Sequence, residues 1–238
     1  MPACFPQILT ATALPLPPLA PDQLHVLIAS VDSLATQREH TMAAINTEEQ
    51  ARAARFVNSL HGDNFSLVRG TLRRCLAGYL QIPAKDIRFT FNQFGKPALD
   101  PAQTNQALQF NVSHSHHMAA LVFAIGRKVG IDIEFVKSLK NLSGLAQHVC
   151  SPQEMEEFNA MALDRRQEAF FRLWTRKEAF IKASGQGLSM GLKSIYIGFD
   201  ETSAVRHVQY HGEWLQHWMV KDLPCDANYK LAVAVETV

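Results

Sequence analysis

Two acidic residues alternate with isoleucines in the segment Gly130-Ile131-Asp132-Ile133-Glu134. On an extended strand, side chains two positions apart project from the same face. Asp132 and Glu134 are therefore expected side by side, while the two isoleucines bury the opposite face. Because Mg2+ is a hard cation that prefers oxygen ligands, this carboxylate pair predicts two ligands of a metal site.

A second segment, Trp174-Thr175-Arg176-Lys177-Glu178-Ala179-Phe180-Ile181-Lys182, has helical spacing. Trp174, Glu178 and Lys182 recur every four residues and therefore stack along one helix face, with Lys177 one step around. This helix supplies a third carboxylate and two ammonium groups. Together with the acidic strand, it can meet a metal ion and the phosphate groups bound to that ion.

A third segment, Phe110-Asn111-Val112-Ser113-His114-Ser115, is a polar turn that contains hydroxyl groups and an imidazole. A zinc site is not expected, because His114, His116 and His117 have no thiolate nearby and no HExxH spacing. A serine-hydrolase site is not expected either. Ser113 and His114 are adjacent and point in opposite directions on a strand, and the chain has no GxSxG elbow.

Each segment also has an ordinary structural interpretation. An Asp-x-Glu strand is more often a solvated face. Trp174 and Phe180 on an amphipathic helix are more often core residues. Glu178 and Lys182 form the usual ion pair of residues four apart on a helix. The presence of all three segments in one chain is what favours a shared site.

The three segments, in this order, resemble the 4'-phosphopantetheinyl transferases of the surfactin-synthetase-activating type. That family's pattern is an (F/W)N(I/V)SHS turn, GIDIE, and W(S/T)xKE(A/S)xxK followed by Gly-x-Gly-Leu. This chain has Gly185-Gln186-Gly187-Leu188 at the last position, and Phe94-Gly95-Lys96-Pro97 is similar to the family's (Y/F)GKP segment. The resemblance covers residues 45 to 235 and leaves only the amino terminus unmatched.

The resemblance implies transfer of the 4'-phosphopantetheine group from coenzyme A to a serine of an apo acyl or peptidyl carrier protein, with release of 3',5'-ADP. It implies Mg2+, or Mn2+, held by Asp132, Glu134 and Glu178. Lys182 and Lys177 would add positive charge to the phosphate oxygens. Glu178 matches the carboxylate that activates the serine, directly or through a metal-bound water, and both roles stay open. The implied catalytic residues are Glu178, Lys182 and Asp132.

Recognition of coenzyme A is implied by further matches. Ser113 and His114 correspond to residues that contact its phosphates, and Lys96 and Pro97 to residues near the nucleotide. Arg52 falls where family members carry a basic ligand of the 3'-phosphate.

One residue departs from the family pattern. Glu49 stands where the best-known members have a second lysine. We expect Arg55 or Arg69 to supply the missing positive charge.

Composition agrees with a globular enzyme. The chain has 238 residues, of which 47% are apolar and 19% charged, and its net charge of +1 argues against an electrostatic nucleic-acid binder. Its cysteines form no CxxC pair, which argues against a zinc ribbon or a disulfide framework and favours a reducing cytoplasm. They are Cys4, Cys75, Cys150 and Cys225. The apolar run 118–125 is far shorter than the roughly 20 residues of a membrane span, and no signal peptide is expected.

An α+β fold with two similar halves in pseudo-twofold arrangement is implied by the resemblance. We expect a Pro-rich extended arm over residues 1–22, an amino-terminal α+β half over 23–127 and a carboxy-terminal half over 128–238, with the metal site at their junction. Patterning predicts helices over 47–56, 64–80 and 164–183, and another that begins at Ser151 or Pro152. In the second of these, Arg69, Arg73 and Arg74 are expected on or near the polar side.

The expected partner is a carrier protein, an acidic helical bundle, and the chain is expected to be a monomer. Residues 135–150 contain three leucines and two lysines that suit such a partner, and that equally suit a helix packed on the core. They are Lys137, Leu139, Lys140, Leu142 and Leu145. The sequence does not select among fatty-acid, polyketide and nonribosomal peptide carriers.

Two other functions stay open. One is a Mg2+-dependent pyrophosphohydrolase of coenzyme A or another nucleotide, which would need no carrier. The other is a catalytically silent protein that binds carriers, which should tolerate loss of Glu178 and Lys182.

Overall fold

A computed structural model describes residues 6–10, 14, 16–104, 107–200 and 206–237. The chain forms two compact units. The first comprises Met1–Val112 and His117–Gly126, and the second comprises Ser113–His116 and Arg127–Val238. The segment Phe110–Ser115, which the sequence analysis predicts as a polar turn, is instead part of a strand, Leu108–Ser115, and the turn comes after it at His116 and His117. Residues 110–112 of this strand belong to the first unit and Ser113 to Ser115 to the second.

Among its described residues, the first unit contains a four-stranded sheet, a two-stranded ribbon and four α-helices. The sheet has the order β1-β2-β6-β5, in which β1 runs parallel to β2 and β6 runs antiparallel to β2. The ribbon pairs β3 with β4. The elements are β1 Pro6–Thr10, β2 Leu24–Ser30, α1 Val31–Ala35, α2 Arg38–Ala44, α3 Thr47–Ala54, α4 Ser59–Leu80, β3 Phe89–Phe91, β4 Pro97–Leu99, β5 Leu108–Ser115 and β6 Met118–Ile125.

The part of the predicted arm that the structure describes includes an edge strand. Pro6 pairs with Leu24 at one end of β1, and Thr10 pairs with Ile28 at the other. Residues 1–5, 11–13 and 15 lie outside the described part, so the idea of a continuous arm over 1–22 stays a prediction.

Helix α4 contributes the apolar side predicted for it. Leu72 and Leu76 are buried in one cluster with Leu121 and Phe123 of β6. The prediction that Arg73 lies on the polar side is wrong. Arg73 is buried because Glu49 and the backbone carbonyl groups of residues 84, 85 and 87 surround its guanidinium group.

The second unit is a five-stranded antiparallel sheet packed against helices. Its strand order is β7-β11-β10-β9-β8. Phe170 and Phe180 of the long helix share a cluster with Val220 and Ala232 of the sheet. The elements are β7 Val129–Phe135, α5 Leu142–Val149, α6 Pro152–Ala160, α7 Leu163–Ser184, β8 Ile195–Tyr196, β9 Arg206–Tyr210, β10 Glu213–Asp222 and β11 Tyr229–Glu236.

Helix boundaries in this unit follow the predicted signals. Helix α6 begins at Pro152 after a capping box in which Ser151 and Glu154 exchange side-chain and backbone hydrogen bonds. Helix α7 ends before Gly185, whose φ of 73° is left-handed. The α+β prediction is confirmed, because each unit combines a largely antiparallel sheet with helices. The pseudo-twofold relation stays a prediction. None of the described helices is long and apolar enough to cross a membrane.

Candidate functional site

The acidic strand β7 has the alternation that the sequence predicts. Ile131 and Ile133 are buried on one face, and Asp132 and Glu134 project from the other. The acidic face is only partly open to solvent, however. Asp132 is only 3% exposed, whereas Glu134 is partly exposed.

Helix α7 covers the acidic face of β7 at Gly130. A Cβ atom on Gly130 would lie 2.2 Å from the carbonyl oxygen of Ala179 and 2.3 Å from the backbone nitrogen of Ala183. Only glycine permits this approach, because both obstructing atoms belong to backbone that cannot move aside. The glycine of the GIDIE segment thus brings the helix that carries Glu178 and Lys182 onto the strand.

Asp132, Lys182 and Ser113 form one hydrogen-bonded cluster. Lys182 Nζ donates to Asp132 Oδ1 over 2.5 Å and to Ser113 Oγ over 3.0 Å, and Ser113 Oγ donates to the same Asp132 oxygen over 2.8 Å. Burial raises the pKa of Asp132, and the positive charge of Lys182 opposes this rise. The second oxygen, Asp132 Oδ2, is buried and has no hydrogen-bond partner among the described residues.

Glu134 is oriented by residues from two other segments. Its Oε2 accepts a hydrogen bond from Ser115 Oγ over 3.0 Å, and its Oε1 accepts one from Trp174 Nε1 over 3.2 Å. Ser115 Oγ in turn accepts a hydrogen bond from the Phe135 backbone nitrogen. The sequence suggested only a core role for Trp174, and gave no role to Ser115 beyond its place in the polar turn.

Glu178 is half-buried, and it interacts electrostatically with Asp132, Lys182 and Glu134 without a hydrogen bond to them. Burial, followed by the negative charge of Asp132, raises its pKa to about 7, while Lys182 opposes the shift and Glu134 adds to it. No described residue donates a hydrogen bond to its carboxylate. A carboxylate with this pKa can accept a proton near neutral pH and return it.

The acidic residues suit a divalent cation chemically. Asp132 Oδ2 lacks a partner, and Glu178 resists ionisation partly because other carboxylates are near. Both features mark oxygen donors with unbalanced negative charge, which Mg2+ would balance. Within the described residues, no three His, Cys, Asp or Glu side chains are already placed to hold a metal ion. Lys182 provides the positive charge beside Asp132.

Lys177 does not lie with this group, and its predicted contact with phosphate is corrected. Its side chain is fully buried and forms an ion pair with Glu154 at 2.5 Å. Its Nζ also donates to three backbone carbonyl groups. Burial lowers the pKa of Lys177, and the charge of Glu154 opposes that shift. An ammonium group with four internal acceptors is not available to a ligand.

Arg52 lies in the first unit, on an open pocket of about 760 Å3. Arg52 and Arg69 both approach the ring of Phe65, at 5.0 and 5.6 Å from its centroid. Arg69 Nη1 is buried and has no hydrogen-bond partner in the described part of the chain. The pocket is lined mainly by basic, acidic and aromatic side chains, together with one amide and one aliphatic residue. The lining residues are Asn46, Glu48, Glu49, Arg52, Arg55, Phe65, Arg69, Arg73, Lys85, Asp86, Ile87, Arg88, Phe89 and Phe91.

Glu49 is part of the scaffold of this pocket. It accepts a hydrogen bond from Arg73 Nε over 2.6 Å and lies 3.6 Å from Arg69 Nε. It also forms a capping box with Asn46 at the start of α3. Burial lowers the pKa of Arg69, an effect that Glu49 opposes and that Arg52 adds to. Arg52 of α3 and Arg69 of α4 therefore both line this pocket, and Glu49 lies next to Arg69.

The remaining predicted residues are accessible but do not line this pocket. Pro97 opens β4 and pairs with Phe91. Lys96 precedes it in a tight turn, where its backbone nitrogen donates to the side chain of Asn92. Lys96 and Pro97 are partly exposed, and His114 in the second unit is exposed.

Comparison with known proteins gives matches over both units. A model of the 4'-phosphopantetheinyl transferase superfamily matches residues 128–234, and a model of the 4'-phosphopantetheinyl transferase amino-terminal domain matches residues 33–125. The chain is 33% identical over 231 residues to 4'-phosphopantetheinyl transferase HetI of Nostoc, which covers 96% of this chain and 95% of that protein. It is 28% identical over 199 residues to 4'-phosphopantetheinyl transferase Sfp of Bacillus subtilis, which covers 83% and 84%.

Proposed function

The chain belongs to the 4'-phosphopantetheinyl transferase superfamily, and we propose that the cluster around Asp132, Glu178 and Lys182 transfers 4'-phosphopantetheine from coenzyme A to a serine of an apo acyl or peptidyl carrier protein. The new bond joins the serine oxygen to the β-phosphorus atom of coenzyme A. The pyrophosphate bond breaks, and 3',5'-ADP leaves with the bridging oxygen. The observation that carries the proposal is the Lys182–Asp132–Ser113 cluster beside a half-buried glutamate with a pKa of about 7.

Glu178 is assigned the role of general base, which accepts the proton of the attacking serine hydroxyl. A carboxylate whose pKa lies near neutral accepts a proton more readily than an ordinary glutamate does, and remains ionised in part of the population. Proton removal makes the serine oxygen a stronger nucleophile towards phosphorus.

Asp132, Glu134 and Glu178 are assigned to a divalent cation, Mg2+ or Mn2+. Two observations support this assignment: Asp132 Oδ2 has no hydrogen-bond partner among the described residues, and burial together with the nearby carboxylates raises the pKa of Glu178. When bound, such a cation neutralises the negative charge that develops on the pyrophosphate oxygens. Ser115 and Trp174 hold the carboxylate of Glu134 in a fixed orientation.

Lys182 is assigned to the transferred phosphate. Its side chain is partly exposed while that of Asp132 is buried, so the ammonium group is held from one side and accessible from the other. A positive charge that is already fixed at this point stabilises the transition state, because no solvent dipoles have to reorient during the reaction. Ser113 keeps the ammonium group in place by accepting its second hydrogen bond.

Residues of several segments are assigned to the recognition of coenzyme A. Arg52 and Arg69 offer two cations beside an aromatic ring in a pocket that suits a phosphate group on a nucleotide. Lys96 and Pro97, which precede and open β4, and the exposed His114 are assigned to the same ligand. Ser113 serves it through its contact with Lys182.

Carrier docking is assigned to residues 135–150. Leu139 and Leu142 pack against the core, which supports the ordinary structural interpretation for those two residues. Leu145 is 41% exposed, and Lys137 and Lys140 are exposed. This combination of an apolar side chain with basic neighbours suits an acidic helical partner. The protein is proposed to act as a monomer in the cytoplasm.

Release of 3',5'-ADP, measured with and without apo carrier protein, tests the function. A transferase releases it only when a carrier serine is present and in equal amount to the holo carrier formed. Release without carrier would favour the pyrophosphohydrolase. Binding of carrier without any release would favour the silent binder.

A further inference from the structure

The buried Lys177 forms hydrogen bonds to α5, to α6 and to the segment 192–195. Its Nζ donates to the carbonyl oxygen of Val149 at the end of α5 over 2.8 Å, to that of Leu192 over 2.9 Å and to that of Ile195 over 2.6 Å. The fourth acceptor is Glu154 Oε2 in the first turn of α6. An ammonium group has three N–H donors, and four acceptors surround this one, so no donor is left for a ligand.

Glu154 extends the same network. It is fully buried, and its Oε2 also accepts the backbone nitrogen of Ser151 over 2.8 Å. Its Oε1 accepts hydrogen bonds from the backbone nitrogens of Ile197 over 2.9 Å and Gly198 over 3.2 Å. The ion pair therefore ties α7 to the junction of α5 and α6 and to the segment 192–198. A buried ion pair with this many partners is costly to disturb, because either residue alone would be an uncompensated charge.

Glu178 follows Lys177 directly on α7. Within the described chain, no residue donates a hydrogen bond to the Glu178 carboxylate. Its position is therefore set by the rotation and axial placement of the helix. Lys177, directly before Glu178, is one point at which fixed hydrogen bonds hold that rotation. Arg176, which is bonded to Asp222 and to the Gly198 carbonyl oxygen, is a second anchor of the same helix.

We propose that Lys177 and Glu154 are positioning residues of the transfer reaction, which hold α7 so that Glu178 and Lys182 meet Asp132. This inference rests on the proposed function. It reverses the sequence-based role of Lys177, because the residue acts through the helix and does not touch coenzyme A. Loss of either partner changes the geometry of the reacting groups and therefore lowers turnover much more than it weakens the binding of coenzyme A, because most of the residues assigned to that ligand lie outside α7.

The test is a double-mutant cycle of Lys177→Met and Glu154→Gln. Turnover and KM for coenzyme A are measured well below the melting temperature of each variant and expressed per folded molecule. Glu154→Gln has the shape of the natural residue and keeps Oε1 as an acceptor, so it reports on the pair even where Lys177→Met folds poorly. Val208→Ala is the control, since it removes buried apolar atoms from β9 and lowers stability without touching the pair.

We expect each single variant to lower kcat by about 10- to 100-fold, with KM for coenzyme A changed less than about twofold. The double variant should be no worse than the poorer single variant, because the two residues act as one unit. Val208→Ala should have a lower melting temperature than the wild-type protein and the same kcat.

Three results would overturn the inference. A higher KM for coenzyme A at unchanged kcat would make Lys177 a phosphate ligand. Unchanged kcat per folded molecule would make the pair merely structural, and independent, additive losses would separate the two residues. Failure of the wild-type protein to transfer at all would instead overturn the proposed function on which the inference rests.

Discussion

Lys182 Nζ lies 2.5 Å from Asp132 Oδ1, and this contact joins two segments that are fifty positions apart in the chain. The aspartate is almost fully buried, whereas the lysine side chain is 29% exposed. The pair therefore presents a positive charge at the surface of the site and keeps a carboxylate beneath it. The other carboxylate oxygen, Oδ2, has no partner among the described residues.

Lys182→Met should lower kcat by about 100-fold, because the transition state loses a fixed positive charge. It should also lower the melting temperature, since Asp132 would then be buried without its cation. Lys128→Met is a matched control, because Lys128 pairs with Glu236 at an exposed position in the same unit. An active Lys182→Met variant would remove this residue from the reaction.

Gly130→Ala should displace α7 from β7 and reduce activity strongly. The new Cβ atom would meet the backbone of Ala179 and Ala183, and neither can move without shifting the helix. Gly212→Ala is the control, because Gly212 lies in the turn between β9 and β10 of the same unit and its Cβ atom would meet nothing within 4 Å, so that only its left-handed φ of 83° opposes alanine there. Thermal unfolding and turnover should both show a much larger loss for Gly130→Ala. Equal effects of the two variants would contradict the close approach.

Stabilisation by Mg2+ should increase with pH. The pKa of Glu178 is raised from its ordinary value of 4.5 to about 7 in the folded protein, so its protonated form favours the folded state. That contribution is complete below the ordinary value and is lost as pH rises through about 7. Asp132, whose pKa is also raised, acts with the same sign. Mg2+ replaces the lost protons, so its effect on melting temperature should grow between about pH 5.5 and pH 8.

Glu178→Gln is the control for this pH dependence. It removes the titrating group and keeps the size of the side chain, so most of the growth with pH should disappear. A Mg2+ shift that is equal at both pH values in the wild-type protein, or larger at the lower one, would contradict the assignment of these carboxylates to the metal.

Arg69→Ala should weaken the binding of coenzyme A about 10-fold or more and leave the binding of 3'-dephospho-coenzyme A nearly unchanged. The reason is that the buried, unpartnered Arg69 Nη1 offers a charge-assisted hydrogen bond to a phosphate oxygen. Arg38→Ala is the control, because Arg38 is exposed, pairs with Asp63 and does not line the pocket. Titration calorimetry of both ligands measures the difference. An equal loss of affinity for the two ligands would mean that Arg69 does not bind the 3'-phosphate.

Local periodicity was enough to predict the elements that carry the site. The alternation at Asp132 and Glu134 follows from the two-residue repeat of a strand, and the structure confirms it. The predicted helix 164–183 differs by one residue at each end from the observed Leu163–Ser184. These features depend on neighbours in sequence, so the sequence alone reveals them.

The direction of single side chains could not be predicted in the same way. A helical wheel places Lys177 one step from Glu178 and does not show that α5, α6 and the segment 192–195 close around it. Arg73 is buried for a similar reason, because its partners Glu49 and the carbonyl of Ile87 come from elsewhere in the chain. Such contacts belong to tertiary structure, which outweighs the local polarity of a residue.

Intact mass spectrometry of an apo carrier protein, after incubation with this protein, coenzyme A and Mg2+, tests the central claim most directly. Glu178→Ala and a metal-free reaction serve as controls. We predict a mass increase of one phosphopantetheine group on the carrier, lost in both controls. No increase across several unrelated carriers would contradict the transferase, and a full increase with Glu178→Ala would contradict the role assigned to that carboxylate.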